Sequence, residues 1–383
     1  MSTVVVIGAG IVGAACAHDL ARGGADVVVL DRGPVASGTT SRGEGNILVS
    51  DKGPGAELDL ARLSRDAWLE LGDELGRDPM ELEEKGGVVV ASSPEGLDAL
   101  EGFARSQRAA GTTALDVDDL RSLEPHLAPG LAGGVLYPED MQVQPVLAAA
   151  AMLEAAQRHG ARFVPGADAR GAVLDRTGRL TGVRTGTGEV IGADAVVNAA
   201  GTWGGEVGER LGGAVPVLPR RGFILVTEPL PPMVRHKVYS ADYVSNVASS
   251  DAGLETSCVV EGTRGGTILI GASRERVGFD TTLDVNVISI LARQATALFP
   301  FLAGVNLLRV YRGFRPYCPD HLPVIGPDPR VPGLFHACGH EGAGIGLAPG
   351  TARLITQHIL GGDGVDVARY TELLPDRFIE QEA

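Results

Sequence analysis

Residues 2–31 have the sequence STVVVIGAGIVGAACAHDLARGGADVVVLD. The β-branched run from Val4 to Ile7 predicts a buried parallel strand. Gly8, Gly10 and Gly13 follow as G-x-G-x-x-G, then a helical segment and a second apolar strand ending at Asp31. This order predicts a dinucleotide site, because the glycines let the backbone approach a pyrophosphate at the helix N-terminus and the acid accepts a ribose hydroxyl. At this point both NAD and FAD are open.

The composition narrows the class of protein. The chain has 383 residues and a formal net charge of −15, which argues against a nucleic-acid-binding face. No run of about 18 apolar residues occurs, and the apolar N-terminus lacks the basic flank of a signal peptide, so we expect no membrane span and a cytoplasmic location. The four cysteines are far apart without a C-x-x-C pair, which predicts buried free thiols and no metal site.

A long irregular segment, residues 32–58, follows the second strand. Its sequence is RGPVASGTTSRGEGNILVSDKGPGAEL, rich in glycine and in hydroxyl side chains. Connections of this length beside a nucleotide fold are usually functional. We therefore expect it to wrap the ligand, with Thr39, Thr40 and Ser41 supplying hydroxyls and Gly43 and Gly45 permitting close backbone approach.

The middle of the chain divides into two kinds of segment. Helical spacing predicts helices over 58–75, 94–110 and 144–159, and a buried strand over 195–198 that ends in Ala-Ala-Gly-Thr-Trp. From residue 215 onward β-strands follow one another without a long helix until 285–298, which indicates a second, mainly antiparallel domain. Arg220 and Arg221 in this part are either solvated charges at a strand end or part of a substrate rim, and the pattern favours the solvated reading.

A second glycine-rich junction lies near the C-terminus. A strand-like run, 334–338, leads into a turn with Gly339, Gly342, Gly344 and Gly346, and a helix then runs to Gly361. Two strand-to-helix junctions of this type suit a ligand with two ends. FAD is such a ligand, with its pyrophosphate at the first helix and its isoalloxazine at the second.

Five motifs together resemble the D-amino-acid oxidase, glycine oxidase and sarcosine oxidase superfamily of FAD-dependent oxidoreductases. The last two of these motifs in chain order are most similar to flavin subunits of D-hydroxyproline, opine and hydrogen-cyanide-forming amine dehydrogenases. In chain order the motifs are GAGIVG with Asp31, TTSRGEGN, DAVVNAAGTW, GFRPYCPDHLPVIG and GHEGAGIGLAPGT. The resemblance implies an α/β fold with a discontinuous Rossmann-like FAD domain of the glutathione-reductase type. Residues 1–85, 142–215 and 316–383 would form that domain, and residues 86–141 and 216–315 would form a mainly antiparallel β-sheet substrate domain.

The resemblance also implies the site residues. Arg315 in GFRP matches the arginine that binds the substrate carboxylate, while His340 would contact flavin or substrate, or cap its turn. The sequence leaves open whether Trp203 packs on the cofactor or only on the core. The residues expected to hold FAD are Gly8, Ala9, Gly10, Ile11, Val12, Gly13, Asp31, Arg32, Thr39, Thr40, Ser41, Gly43, Gly45, Asn46, Ala169, Ala200, Gly201, Trp203, Gly342, Gly344, Ile345 and Gly346.

The implied reaction is hydride transfer from a small carboxylated amine or imino acid to flavin N5, giving an imine. Members that attach FAD covalently use a cysteine at the position of Gly313, which predicts non-covalent FAD here. Some oxidases of this family use a lysine near the flavin to activate oxygen. No lysine follows Lys237 in this sequence, which favours a dehydrogenase over an oxygen-using glycine- or sarcosine-type oxidase. A flavin subunit that passes electrons to partner subunits of a hetero-oligomer is the other alternative, and Tyr239, Tyr243 and Arg274 are candidates for substrate specificity.

Overall fold

The structure, a computed structural model, describes residues 2–241, 252–362 and 364–379. In chain order the strands are β1 Thr3–Ile7, β2 Asp26–Asp31, β3 Asn46–Ile47, β4 Gly87–Ala91, β5 Leu115–Val117, β6 Gly133–Tyr137, β7 Met141–Gln142, β8 Arg162–Pro165, β9 Ala169–Leu174, β10 Leu180–Thr185, β11 Val190–Gly192, β12 Ala195–Asn198, β13 Leu218–Thr227, β14 Lys237–Ser240, β15 Glu255–Gly262, β16 Ile268–Arg274, β17 Leu307–Tyr317, β18 Val324–Pro327 and β19 Leu334–Cys338.

The helices lie between these strands. They are α1 Ile11–Arg22, α2 Ala56–Leu75, α3 Arg77–Met80, α4 Pro94–Ala109, α5 Leu120–Leu123, α6 Pro145–Arg158, α7 Gly204–Leu211, α8 Val285–Leu298 and α9 Gly344–Leu360. Short 3-10 helices occupy Thr39–Arg42, Gly201–Trp203, Pro300–Gly304, Val367–Leu373 and Pro375–Phe378. No helix among the described residues is long and apolar enough to cross a membrane.

A six-stranded sheet carries the N-terminal motif. Its order is β18-β19-β12-β1-β2-β8, with all neighbours parallel except β18, which runs antiparallel to β19. Val4 and Val6 belong to the core shared with α1, α6 and α9, whereas Val5 and Ile7 belong to a second core under the sheet β11-β10-β9. Because both faces of the sheet are covered, polar and apolar residues do not alternate along β1, and the strand is apolar over residues 4–7, as the sequence predicts.

An eight-stranded sheet of order β17-β13-β16-β15-β14-β4-β6-β5 forms the second part of the fold. Its neighbours are antiparallel apart from the parallel pair β14–β4. The predicted α/β class, with a parallel nucleotide-binding sheet and a mainly antiparallel second sheet, is confirmed. Strand β17 continues through the expected boundary at 315/316 to Tyr317, and the five-segment domain division stays a prediction.

The favoured prediction for Arg220 and Arg221, solvated charges at a strand end, is wrong. Both side chains are buried, since β13 lies inside the sheet between β17 and β16. Arg220 pairs with Glu255 at 2.7 Å and with Glu341 at 2.6 Å, and Arg221 pairs with Glu275 at 2.7 Å. A buried guanidinium needs such partners, and they come from segments distant in sequence, which the local pattern does not reveal.

Helix α9 contains a proline, and helix α2 compensates for it. Pro349 has no N–H to donate to the carbonyl of Ile345, four residues earlier. Trp68 Nε1, on α2, donates to Ile345 O at 3.2 Å and to Gly346 O at 3.1 Å. Ser64 Oγ donates to Gly346 O at 2.6 Å and accepts from Gly350 N at 2.9 Å, so two α2 side chains satisfy the backbone of α9 next to its N-terminus.

We expect Ser64→Ala to lower the free energy of unfolding by about 1–3 kcal/mol, because it leaves buried backbone groups without a partner. Urea unfolding followed by far-UV circular dichroism measures the difference. The control is Ser106→Ala, which removes a hydroxyl that donates to Phe103 O at 2.7 Å on the exposed side of α4, with an expected change within about 0.5 kcal/mol. Equal effects of the two substitutions would contradict the proposed role of Ser64.

Candidate active site

One cavity of about 530 Å³ connects the two large sheets. It extends from the carboxyl ends of β1, β2 and β12 to the face of β13 and β17. The lining residues that the sequence predicted are Gly8, Gly10, Ile11, Val12, Asp31, Arg32, Thr39, Thr40, Gly43, Asn46, Ala200, Gly201, Trp203, Arg315, His340, Gly342, Gly344 and Ile345. The structure therefore brings both glycine-rich junctions to one cavity, although they are more than 300 residues apart in the sequence.

The first end of the cavity is the glycine turn before α1. Gly8 has φ +112°, a conformation that favours glycine, and a side chain there would collide with Ala199 O. Gly10 has no side chain to cap α1, and Thr40 Oγ1 accepts from Ile11 N at 3.0 Å, so the remaining backbone donors of this N-terminus face the cavity. Asp31 Oδ2 accepts from Ala9 N at 2.7 Å and Oδ1 accepts from Gly33 N at 2.8 Å, so this carboxylate also holds the turn in place.

Trp203 lines the cavity and belongs to an aromatic stack. The guanidinium carbon of Arg32 lies 3.9 Å from the centroid of the Trp203 ring. Phe279 stacks on Trp203 with the centroids 5.6 Å apart, and Phe314 meets Phe279 edge-on at 5.2 Å. Trp203 thus contacts the cavity rather than only the core, and its stack fixes the ring at one wall.

The second end of the cavity is the turn before α9. His340 is buried, and its Nε2 lies 2.9 Å from Thr351 Oγ1 inside the helix. Burial lowers the pKa of His340 to about 3, so its ring is neutral at ordinary pH. Burial alone would raise the pKa of the neighbouring Glu341, but a hydrogen bond with His321 and the charges of Arg274 and Arg220 lower it, which keeps this carboxylate ionised.

Arg315 lies on β17 directly opposite Arg220 of β13 and lines the cavity. Its Nη1 donates to Ser273 O at 2.7 Å, which fixes the guanidinium plane. The space for this group comes from Gly222, since a side chain there would collide with Nη1. A Cβ built on Gly342 would lie 3.5 Å from Arg315 Nε, so the arginine side chain lies close to the turn before α9.

The loop 38–46 packs against the face of the large sheet. Tyr311 OH donates to Gly43 O at 3.1 Å, and Thr39 Oγ1 donates to Phe314 O at 2.9 Å. The loop can pack closely on the sheet because residue 313 is a glycine. A side chain at Gly313 would collide with Cβ and the backbone oxygen of Arg42. Arg42 itself lines the cavity and was not among the predicted residues.

Glu44 is the second residue that the sequence reasoning missed. It lines the cavity, its side chain is buried, and its Oε2 accepts from Asn46 Nδ2 at 3.3 Å. Its Oε1 is buried without a hydrogen-bond partner among the described residues. The available signal was an acid between two glycines, Gly43 and Gly45, in a segment expected to wrap a ligand.

Six predicted cofactor residues lie outside the cavity lining. Ala169 belongs to β9, and its neighbours Ala167 and Asp168 line the cavity instead. Gly13 and Gly45 serve close backbone packing, since a side chain would collide with Gly8 O or Val143 O. The six are Ala9, Gly13, Ser41, Gly45, Ala169 and Gly346.

Two of the three candidates for substrate specificity, Tyr239 and Arg274, are not among the described residues that line the cavity. Tyr239 is buried, with its hydroxyl hydrogen-bonded to Ser50, and Arg274 is buried as well. Tyr243 lies outside the described residues. All four cysteines are buried free thiols, as predicted, and none is among the described lining residues.

One group of possible metal ligands occurs among the described residues, away from the cavity. His18, Glu74 and His159 bring ligand atoms within 4.8 Å of one another. His18 is already paired, with Nε2 3.0 Å from Glu74 and Nδ1 3.4 Å from Asp19. Although burial lowers the pKa of His18, these two carboxylates raise it overall, which favours an ion pair over a metal ligand.

A dinucleotide-type sheet whose cavity continues to a second sheet and a second helix N-terminus is the architecture of a flavoprotein oxidoreductase. A family model described as DAO, FAD dependent oxidoreductase, matches residues 3–358. The chain belongs to this family, and it is an FAD-dependent oxidoreductase.

Three relatives show how far the similarity extends. Glycine oxidase of Pseudomonas putida is 32% identical over 381 residues, covering 96% of this chain and 97% of that protein. Hydrogen cyanide synthase subunit HcnC of Pseudomonas aeruginosa is 35% identical over 232 residues, 60% of this chain, and the match spans 52% of that relative. The crystal structure of glycine oxidase from Geobacillus kaustophilus matches with a TM-score of 0.84 and 27% identity, over 97% of this chain and 98% of that one.

We expect His340→Gln to reduce the acid sensitivity of the fold. Below about pH 6.5 the unfolded histidine takes up a proton that the buried ring does not take up until about pH 3, so its contribution to stability is lost as the pH falls through that window. The free energy of unfolding of the wild type should fall relative to the variant by about 1.4 kcal/mol per pH unit.

Denaturant unfolding at pH 7, 6 and 5 measures this difference. His126→Gln, at an exposed position, is the control and should follow the wild type. Parallel pH profiles of His340→Gln and the wild type would contradict the expectation.

Proposed function

We propose that this enzyme oxidises the C–N bond of a small amino or imino acid, such as a D-amino acid, a proline-like imino acid or an N-alkyl glycine, to an imine. The observation that carries the proposal is the position of Arg315 in the cavity, against the turn that begins α9. A guanidinium binds a carboxylate through two parallel hydrogen bonds and so orients the rest of the molecule. The glycine oxidase relatives support a substrate of this size.

The described residues fit FAD at both ends of the cavity. At the first end the N-terminus of α1 and the turn at Gly8 and Gly10 would hold the pyrophosphate, and Asp31 would accept from a ribose hydroxyl. At the second end no side chain caps α9 at Ala343, so the positive end of its dipole faces the cavity. When bound, FAD supplies the acceptor for the hydride that leaves the substrate.

The residues of this chain supply orientation and electrostatics. Arg315 would hold the carboxylate, with Ser273 O keeping its guanidinium plane fixed. His340 is neutral and adds no charge to this end of the cavity. The acid within the turn, Glu341, pairs with Arg220 at 2.6 Å.

We propose that FAD is bound without a covalent link. Cys318, the cysteine nearest to the GFRP motif, is buried, and no cysteine is among the described lining residues. Acid precipitation of the purified protein should therefore give a colourless pellet and a yellow supernatant, measured by flavin absorbance. A pellet that stays yellow after washing would contradict this.

A second candidate function is that of a flavin subunit in a hetero-oligomer that passes electrons to partner subunits. The observation that favours it is the similarity to a protein named as a hydrogen cyanide synthase subunit, of which the matched part spans 52%. An oxygen-using amine oxidase is the other alternative. Reduction of a dye by the chain alone, compared with oxygen consumption under the same conditions, separates the three.

We expect Arg315→Ala to lower kcat/KM for carboxylated amines by about 10²- to 10³-fold, since charge-assisted hydrogen bonds each contribute about 1.5–3 kcal/mol. A panel of amino and imino acids is screened by dye reduction, and FAD content is checked by absorbance. The control is Arg309→Ala on the exposed part of the same strand, with unchanged kinetics expected. If Arg315→Ala retains FAD and wild-type kinetics, Arg315 has no role in substrate binding.

A further inference from the structure

Among the described residues, five carboxylates line the cavity, and four of them are engaged. Asp31 accepts two backbone N–H groups, Asp168 and Glu206 pair with Arg210, and Glu341 pairs with Arg220. Glu44 differs from these, because its Oε1 is buried without a hydrogen-bond partner among the described residues while the side chain is only 7% exposed. A buried oxygen in this state is costly unless a ligand supplies the missing donor.

The position of Glu44 depends on a gap in the large sheet. A Cβ on Gly271 would lie 2.5 Å from Glu44 Oε1 and 2.9 Å from Ile224 Cδ1, so any larger residue would displace the carboxylate. Ile224 and Gly222 both line the cavity, and Gly222 makes the corresponding space for Arg315. The acid and the arginine therefore lie along one wall of the cavity.

The charged groups around Glu44 act in opposite directions. Burial raises its pKa, Lys237 of β14 lowers it, Glu261 of β15 raises it, and Arg315 of β17 and the Asn46 hydrogen bond lower it, with a raised pKa as the result. Lys237 pairs with Glu261, whose Oε1 accepts from Gly45 N at 3.3 Å. The pKa values of the Tyr311 hydroxyl and the Cys258 thiol are raised, mainly by burial and in part by the charge of Glu44. Glu44 is thus a carboxylate of increased basicity beside a fixed cation.

We propose that Glu44 is a catalytic residue that binds the substrate's ammonium group and accepts one proton from it. In this step one N–H bond breaks, the electron pair stays on nitrogen, and an O–H bond forms on Glu44. No electron is transferred, and the products are a neutral amine and a carboxylic acid. The inference rests on the proposed function, because only the neutral amine can release its α-hydrogen as hydride, and Arg315 and Glu44 together match the two charges of a zwitterion.

The proposal narrows the substrate class. The substrate would be a carboxylated amine that carries at least one proton on nitrogen, whether primary, secondary or tertiary. A quaternary ammonium such as glycine betaine offers no N–H donor to the Glu44 carboxylate, so it should be neither bound well nor oxidised.

The test uses the FAD-loaded enzyme and the substrate with the highest kcat/KM in the dye-reduction screen. Glu44→Gln should lower kcat/KM by about 10²- to 10³-fold near neutral pH, the usual size of a lost proton acceptor. The deficit should shrink with rising pH, because the variant can use only substrate that is already neutral and its kcat/KM should rise tenfold per pH unit up to the pKa of the amine. Glu44→Asp should keep the shape of the wild-type profile at a lower rate.

Acetate provides a readout that is independent of turnover. This ligand has the carboxylate without the amine, and its binding is measured by the change in flavin absorbance. We expect the Kd of acetate to be unchanged or lower in Glu44→Gln, since removal of a negative charge does not weaken the binding of an anion, whereas Arg315→Ala should raise it.

The matched control is Glu57→Gln, which changes a carboxyl on α2 that does not line the cavity and whose pKa is raised to about 7 by burial. It should keep the wild-type pH profile. The inference is overturned if Glu57→Gln rather than Glu44→Gln changes the profile, if Glu44→Gln stays within about threefold of the wild type at every pH, or if Glu44→Gln loses FAD or acetate binding. If the wild type oxidises no carboxylated amine, the proposed function itself fails, which is a separate result.

Discussion

The cavity depends on the wedging of loop 38–46 between the two large sheets. Thr40 Oγ1 accepts from Ile11 N at 3.0 Å on the side of the six-stranded sheet, and Thr39 Oγ1 donates to Phe314 O at 2.9 Å on the side of the eight-stranded sheet. Adjacent hydroxyls of one short segment thus join the two halves of the fold. Because one bond joins residues 29 apart in the sequence and the other joins residues 275 apart, the loop ties a local partner and a distant one to the same position.

The second end of the cavity depends on hydrogen bonds from α2 to the backbone of α9. Helix α9 presents its N-terminus to the cavity although Pro349 interrupts its hydrogen-bond ladder, and Trp68 and Ser64 of α2 replace the missing contacts. The packing there is close, since a Cβ on Gly350 would lie 3.0 Å from Ser64 Cβ. Because side chains of α2 hydrogen-bond to the backbone of α9, the axis of α9 has a fixed direction. Its dipole therefore points in a fixed direction toward the cavity.

The sequence was sufficient for features that lie within one contiguous segment. The G-x-G-x-x-G turn and the turn at Gly342 and Gly344 have a strand before them and a helix after them, Asp31 ends a strand, and the structure has the same order. Features that depend on packing between distant strands could not be predicted in this way. Arg220 meets Glu255 and Glu341 only because the sheet is assembled, and Glu44 is buried only because Gly271 of another strand makes space for it.

The charge of the cavity differs from that of the whole chain. The protein carries a formal net charge of −15, yet FAD is anionic and the proposed substrate carries a carboxylate. The charge at the cavity wall is more positive than that of the chain as a whole. Among the described residues, Arg32, Arg42, Arg210 and Arg315 line the cavity, and most of the lining acids are engaged by N–H donors or guanidinium groups. One lining acid has an oxygen without such a donor, although the other acids in the cavity are neutralised. A carboxylate in this position would stabilise only a cationic part of a ligand. Glu44 is that acid, and its position next to Arg315 gives the wall one positive and one negative group, the charge pattern that an amino acid zwitterion complements.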